Sequence, residues 1–110
     1  MADKIFIITG SVTNTNDHTP IKGLTLELWQ KSELNVYRLG TAITEGDGAT
    51  YSITYTDVNN LLSAEDGKIH NAFLKVSYND IFITRYPKNE QQFLHRLSEG
   101  KAKSGFIRLG

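Results

Sequence analysis

Apolar and polar residues alternate in short runs along most of this chain, which is the pattern of β-strands. The clearest run covers residues 24–29. Because successive side chains of a strand point to opposite faces, we predict that one phase of the run faces a core, and it consists of Leu24, Leu26 and Leu28. The other phase is predicted to lie on an outer face and consists of Thr25, Glu27 and Trp29. Residues 51–56 alternate in the same way and predict another strand.

Turn residues punctuate these runs at short intervals, as expected for an all-β sandwich or barrel. Asn79-Asp80 separates the strands predicted over residues 72–78 and 81–86. Both residues tolerate positive φ, so they predict a tight hairpin. Residues 106–109 form the last predicted strand. The total is about seven strands, the number that one sandwich of this length contains.

Two segments depart from the strand pattern and are predicted to be short helices. The first covers residues 57–64, with two leucines facing inward. The second covers residues 89–99, where Asn89 can cap the first turn and Gly100 can end the helix. The polar residues 98–104 are predicted to form a mobile loop.

Length, charge and composition narrow the class of protein. The 110 residues predict one domain over residues 1–110. Lys+Arg and Asp+Glu both number 12, so no net charge favours nucleic acid. There is no cysteine for a disulfide or a thiolate site. The apolar run of residues 5–8 is too short for a signal peptide or for membrane insertion, so the default expectation is a cytoplasmic protein, with signal-independent export left open.

A set of short motifs within residues 5–86 combines turn glycines with core residues: Gly10-Ser11-Val12, Pro20-Ile21-Lys22-Gly23-Leu24, Leu39-Gly40, Thr44, Tyr51-Ser52-Ile53 and Ala72-Phe73-Leu74-Lys75-Val76. Together they resemble transthyretin-like domains, also described as carboxypeptidase regulatory-like or prealbumin-like domains. The resemblance implies a Greek-key β-sandwich. It also implies a docking role, since related domains are appended to larger bacterial proteins, including toxin complexes and secretion-system spikes.

Some transthyretin-like proteins hydrolyse 5-hydroxyisourate with histidines and an arginine, and they carry a C-terminal Tyr-Arg-Gly-Ser signature. This chain ends Phe106-Ile107-Arg108-Leu109-Gly110, and residues 4–13 contain no histidine. The sequence therefore disfavours that enzyme, and we predict no catalytic residue. The three histidines lack partner ligands at metal-binding spacing, so no metal and no cofactor is predicted.

Trp29 is the most informative candidate for a binding role. If the leucines of its strand face the core, its ring lies on the outer face and can contact a partner, although a loop or helix over it is an equal alternative. Tyr and Arg are common interface anchors. The predicted partner-binding residues are therefore Trp29, Glu27, Tyr37 and Arg38.

The sequence thus favours a non-enzymatic interaction or structural accessory module with a protein partner. One form of it is an adaptor subunit of a bacterial toxin or secretion apparatus. A homodimer through a sheet edge or a sheet face is a second expectation, because free strand edges can pair with another chain. A module that binds carbohydrate or another small ligand is the alternative, and a hydrolase is the least favoured.

Overall fold

The computed structural model of the protein describes residues 4–31, 35–57, 68–69, 71–94, 97–98 and 100–109. These residues form strands and no helix, which confirms the predicted all-β class. Seven strands are long and two are only two residues in length: β1 (Lys4–Asn14), β2 (Thr25–Lys31), β3 (Val36–Ile43), β4 (Thr50–Asp57), β5 (Lys68–Ile69), β6 (Ala72–Tyr78), β7 (Ile81–Tyr86), β8 (Leu97–Ser98) and β9 (Gly100–Leu109).

The long strands form two packed sheets, so the predicted β-sandwich is confirmed. One sheet has three strands in the order β4-β1-β9, and the other has four in the order β3-β2-β6-β7. The chain passes from β3 to β4 in the opposite sheet and returns to β6 beside β2, a crossing of the Greek-key kind. β1 pairs with β9 in parallel and with β4 in antiparallel orientation.

The core lies between the sheets and is made by the inward phase of each strand. Leu24, Leu26 and Leu28 are 4%, 0% and 1% exposed, as the alternation predicts. The opposite sheet contributes buried side chains that include Phe6, Ile8, Val12, Tyr51 and Ile53. Because side chains alternate along a strand, the burial of these leucines places Thr25, Glu27 and Trp29 on the outer side of the sheet.

Thr44 is the polar residue that closes one end of this core. Its side chain is 1% exposed. Its hydroxyl oxygen accepts a hydrogen bond from the Leu24 N–H at 3.0 Å and its O–H donates to the Ile21 carbonyl at 2.8 Å. Two backbone groups that the β2 and β3 ladder does not reach are thereby satisfied.

The predicted Asn79-Asp80 hairpin is confirmed. Asn79 and Asp80 have φ values of 49° and 65°, and Tyr78 pairs directly with Ile81. Two consecutive residues with positive φ give a turn whose twist matches that of the flanking strands.

The helix predicted over residues 89–99 is wrong over its described part. Asn89 does cap, but it caps a single turn: the Gln91 N–H donates to Asn89 Oδ1 at 2.8 Å and the Gln92 N–H to the Asn89 carbonyl at 2.9 Å. The helix does not propagate, because the Leu94 N–H donates to the Ala72 carbonyl of β6 at 2.8 Å rather than to the carbonyl of residue 90. The Arg85 guanidinium donates in addition to the carbonyls of Asn89 and Gln92. Leu97–Ser98 is a strand that pairs with Lys68–Ile69.

The other helix and the loop had different outcomes. Asp57, where the first helix was expected to start, is the last residue of β4, and residues 58–64 lie outside the described residues. The loop predicted over residues 98–104 is wrong, because β9 already begins at Gly100. The polar residues of β9 pair through backbone groups with β1, and such pairing does not require apolar side chains.

Candidate functional site

The outward side of the four-stranded sheet, called here the outer face, carries the side chains with the most distinctive chemistry. Strand pairing arranges them in three rows that cross the sheet. The first row is Ile43, Thr25, Ser77 and Phe82. The second row is Thr41, Glu27, Lys75 and Arg85. The third row is Arg38, Trp29 and Phe73.

An ion pair joins the second and third rows. Arg38 Nη1 lies 3.2 Å from Glu27 Oε2, with side chains that are 60% and 21% exposed. An exposed pair of this kind contributes about 0–1 kcal/mol to stability. Its main consequence is that the charge of Glu27 is neutralised on this face.

Trp29 is half-buried under a neighbouring lysine. The Lys75 ammonium lies 4.4 Å from the centroid of the indole ring, a cation–π contact. The indole N–H is buried and has no acceptor among the described residues. Trp29 is therefore neither a freely exposed ring nor a fully covered one, and a flexible side chain is part of its cover.

Residues 87–94 cover part of the third row. The Arg85 guanidinium stacks on the Phe73 ring at 4.5 Å and on the Phe93 ring at 5.3 Å. It also donates hydrogen bonds to the carbonyls of Pro87 at 2.6 Å, Asn89, and Gln92 at 2.7 Å. Burial lowers the pKa of the Arg85 side chain, which still remains charged because arginine titrates far above neutral pH. This cation is thus fully engaged within the chain.

The four predicted partner-binding residues do not form one cluster. Glu27, Trp29 and Arg38 come together on the outer face. Tyr37 pairs with Gln30, which is on the opposite phase of β2, so it is not part of that face although it is 40% exposed. The alternation in β2 was readable from the sequence, but the pairing partner of Tyr37 was not.

Several exposed apolar side chains lie on the β6–β7 hairpin, and its Ile81, Phe82 and Ile83 were not among the predicted site residues. Tyr78, Ile81, Phe82 and Ile83 are 50%, 68%, 60% and 44% exposed. A signal was present in the sequence: three apolar residues in succession, Ile81-Phe82-Ile83, follow a two-residue turn. Successive residues cannot all face one core, so such a run at a hairpin exposes apolar surface.

A groove of about 390 Å³ runs along the first row beside this hairpin. It is lined by Thr25, Glu27, Lys75, Ser77, Asp80 and Phe82. The carboxylate of Glu27 is paired with Arg38. Lys75 and Asp80 make no ion pair with any described residue, although the Lys75 ammonium lies over the Trp29 ring. The groove therefore presents a cation and an anion without an ion-pair partner among the described residues, together with hydroxyls and an exposed phenyl ring.

A larger open depression of about 920 Å³ lies where β1, β3 and β4 approach one another. Its lining is rich in hydroxyl groups, which belong to Thr9, Ser11, Thr25, Thr41, Thr50, Tyr51 and Ser52. Burial raises the pKa of the Tyr51 phenol, so this hydroxyl stays protonated even at alkaline pH. The depression offers hydrogen-bonding groups and the carboxylate of Glu45.

Within the described part of the chain, no group of three or more His, Cys, Asp or Glu side chains is placed to hold a metal ion. The same residues contain no helix with the length and apolar character needed to cross a membrane.

No protein-family model matches this chain, and no curated protein matches it. Among solved structures, the chain is similar to the crystal structure of a 9R-lipoxygenase from Cyanothece PCC8801, with a TM-score of 0.58 and 13% sequence identity. The match covers 96% of this chain and 16% of that chain. At this identity the likeness concerns the fold alone.

Proposed function

We propose that this protein is a non-catalytic interaction module that binds a protein partner through the outer face, at the groove beside the β6–β7 hairpin. The observation that carries this proposal is that two exposed apolar side chains of the first row, Ile43 and Phe82, lie at the two sides of the outer face and are 58% and 60% exposed. Exposed apolar surface rimmed by polar groups is typical of protein interaction sites.

The energetic reason is the size of the side chains that remain in water. Burying one phenylalanine or isoleucine side chain stabilises a complex by about 1.5–3 kcal/mol. Phe82 and Ile43 keep more than half of their surface exposed, so a partner that covers them gains a substantial part of that free energy. The polar groups of the groove would then select the orientation of the partner.

The finer assignment is also a proposal. The glycine and core motifs of residues 10–24 support membership of the transthyretin-like domains, and the adaptor role follows by analogy with such domains in bacterial toxin complexes and secretion apparatus. Glu27 lines the groove, and Trp29 and Arg38 would form the far border of the contact, because they lie in the third row.

Site-specific photo-crosslinking tests this function. A benzophenone amino acid placed at position 82 samples the groove, and the same amino acid at position 54 samples an exposed residue of the opposite sheet. We expect a discrete crosslinked protein product in cell lysate from position 82 and none from position 54. Equal or absent products at both positions would contradict an interaction role for the outer face.

Binding of a carbohydrate or another small polar ligand is the second candidate, and the hydroxyl-rich depression favours it. NMR titration of the labelled protein with a panel of mono- and disaccharides tests it. Shifts confined to the amides of Thr50 and Ser52, lost in a Ser52→Val variant, would support this alternative. Absence of any shift at millimolar ligand would eliminate it.

A further inference from the structure

We infer that the partner of the groove is a second copy of this chain, in an isologous dimer formed face to face along the first row. This inference rests on the proposed function, since it names the occupant of the same surface. In an isologous interface each patch must complement itself under two-fold rotation. The charges on the two sides of the first row meet that condition.

The apolar contacts of such a dimer would come from the first row. Its two outer positions, Ile43 on β3 and Phe82 on β7, are 58% and 60% exposed, and the two positions between them are the small Thr25 and Ser77. A two-fold axis that runs along this row would place Phe82 against its own copy and Ile43 against its own copy. Apolar side chains would then meet at both sides of the sheet.

The charge argument concerns the two sides of that axis. Lys75 lies in the second row, and Asp80 lies in the hairpin turn beyond the other side of the first row. Rotation about the axis exchanges these two sides, so each Lys75 would face Asp80 of the other copy. Both charges lack an ion pair among the described residues, whereas Glu27 and Arg85 are already engaged within the chain. The groove therefore leaves free the two charges that the two-fold relation pairs.

Pairing through the β7 edge would be a competing way to dimerise, and the structure disfavours it. The register of β6 and β7 shifts between Val76 and Ser77, so that Ile83 is an extra residue on β7. A bulge on an edge strand interrupts the spacing of its free backbone groups and hinders the addition of another strand. The face is thus the better surface for a second copy.

The first row supplies two exposed apolar side chains, Ile43 and Phe82, to the interface, whereas a standard interface takes roughly 20–30 residues from each partner. We therefore expect a weak dimer with a dissociation constant on the order of 10 μM, at the weak end of the μM-to-pM range of standard interfaces. Dimer formation should also move the Lys75 ammonium toward Asp80 of the other copy and away from the Trp29 ring. Because Trp29 is the only tryptophan, its fluorescence would change with protein concentration.

The test uses the purified full chain in sedimentation velocity experiments from about 1 to 300 μM, a range chosen around that expected constant. We expect Lys75→Glu and Asp80→Lys each to weaken the dimer at least tenfold. Positions 75 and 80 meet at two symmetry-related places in the dimer, and each change puts like charges together at both places. A mixture of the two variants should associate again, since every contact in the mixed dimer joins opposite charges. The double variant Lys75→Glu/Asp80→Lys should also recover the dimer.

Two controls separate this result from unfolding and from a general charge effect. Lys31→Glu makes the same charge change at the far end of β2 and should leave the dimer intact. Phe82→Ser should abolish it without a change in the circular dichroism spectrum. A wild-type protein that stays monomeric at 300 μM, or single variants whose mixture associates no better than either alone, would overturn the inference.

Failure of the dimer and failure of the proposed function give different results. A monomeric protein that still crosslinks to a different protein from position 82 would leave the interaction module standing and remove the second copy as its partner. A monomeric protein with no crosslink at position 82 would remove both.

Discussion

Gly40 on β3 lies where the edge strands of the two sheets come closest, and a methyl group there would meet the core. A Cβ built on Gly40 would be 2.6 Å from Ile53 Cγ2 and 3.5 Å from the Thr54 carbonyl oxygen. Ile53 is 1% exposed. Its Cγ2 is attached directly to Cβ, so it cannot move without shifting the side chain as a whole.

The expected loss of stability follows from that distance. Carbon atoms in contact are about 3.5–4.0 Å apart, so Gly40→Ala requires a displacement of about 1 Å in a packed region. Overpacking of this kind costs about 1–3 kcal/mol. The smaller entropy of the unfolded chain offsets about 0.4–1 kcal/mol of it. We expect the free energy of unfolding to fall by about 1–2 kcal/mol and the Tm to fall by about 4–8 °C.

Urea unfolding followed by the fluorescence of the single tryptophan measures this change. Gly48→Ala is the matched control, because its Cβ would meet only Thr50 Cγ2, at an ordinary 3.5 Å. Ile53→Leu removes Cγ2 with little change in volume, so the combination of Gly40→Ala with Ile53→Leu should lose less stability than the sum of the single changes. If Gly40→Ala unfolds at the same urea concentration as Gly48→Ala, or the double variant is merely additive, the steric argument fails.

Three further predictions follow from buried or engaged polar groups. Arg85→Lys should lower the free energy of unfolding by about 1–3 kcal/mol, because one ammonium cannot both bind three carbonyls and stack on two rings. An unchanged midpoint of thermal unfolding would show that residues 87–94 are held by other contacts. Thr44→Val leaves the Leu24 N–H and the Ile21 carbonyl without their hydrogen-bond partner, and we expect the free energy of unfolding measured in urea to fall by about 2–4 kcal/mol. A fall smaller than that of the exposed control Thr54→Val would contradict the role assigned to Thr44. Burial and the hydrogen bond that Tyr55 donates to Asp57 at 3.0 Å raise the pKa of Tyr55 from 10.0 to about 12. Because the folded state favours the protonated phenol, the contribution of Tyr55 to stability is complete below pH 10 and is lost as the pH rises from 10 to 12. Tyr55→Phe should make the decline of stability over that interval shallower, and an identical decline in both proteins would refute the assignment.

Local patterns predicted the strands well and the connections poorly. The inward leucines of β2 and the Asn79-Asp80 hairpin were readable because both depend on residues within a few positions of each other. The helix prediction over residues 89–99 used local capping signals in the same way. It was wrong because the Leu94 N–H, which a helix would direct to the carbonyl of residue 90, donates instead to the carbonyl of Ala72 on β6, more than twenty residues away in the chain.

The candidate site shows the same division. The sequence placed Thr25, Glu27 and Trp29 on one face of a strand. It could not show that Ile43 and Phe82 lie on one row, since that depends on the register of three successive strand pairs.

The sequence by itself determined the β class, the phase of each clear strand and the tight hairpin, because a period of two and a positive φ are properties of neighbouring residues. Only the tertiary structure decided the sheet order, the parallel pairing of β9 with β1 and the end of the turn at Asn89. These depend on hydrogen bonds between backbone groups far apart in the chain. Backbone groups are nearly the same in every residue, so their partners are chosen by the packing of the whole sandwich.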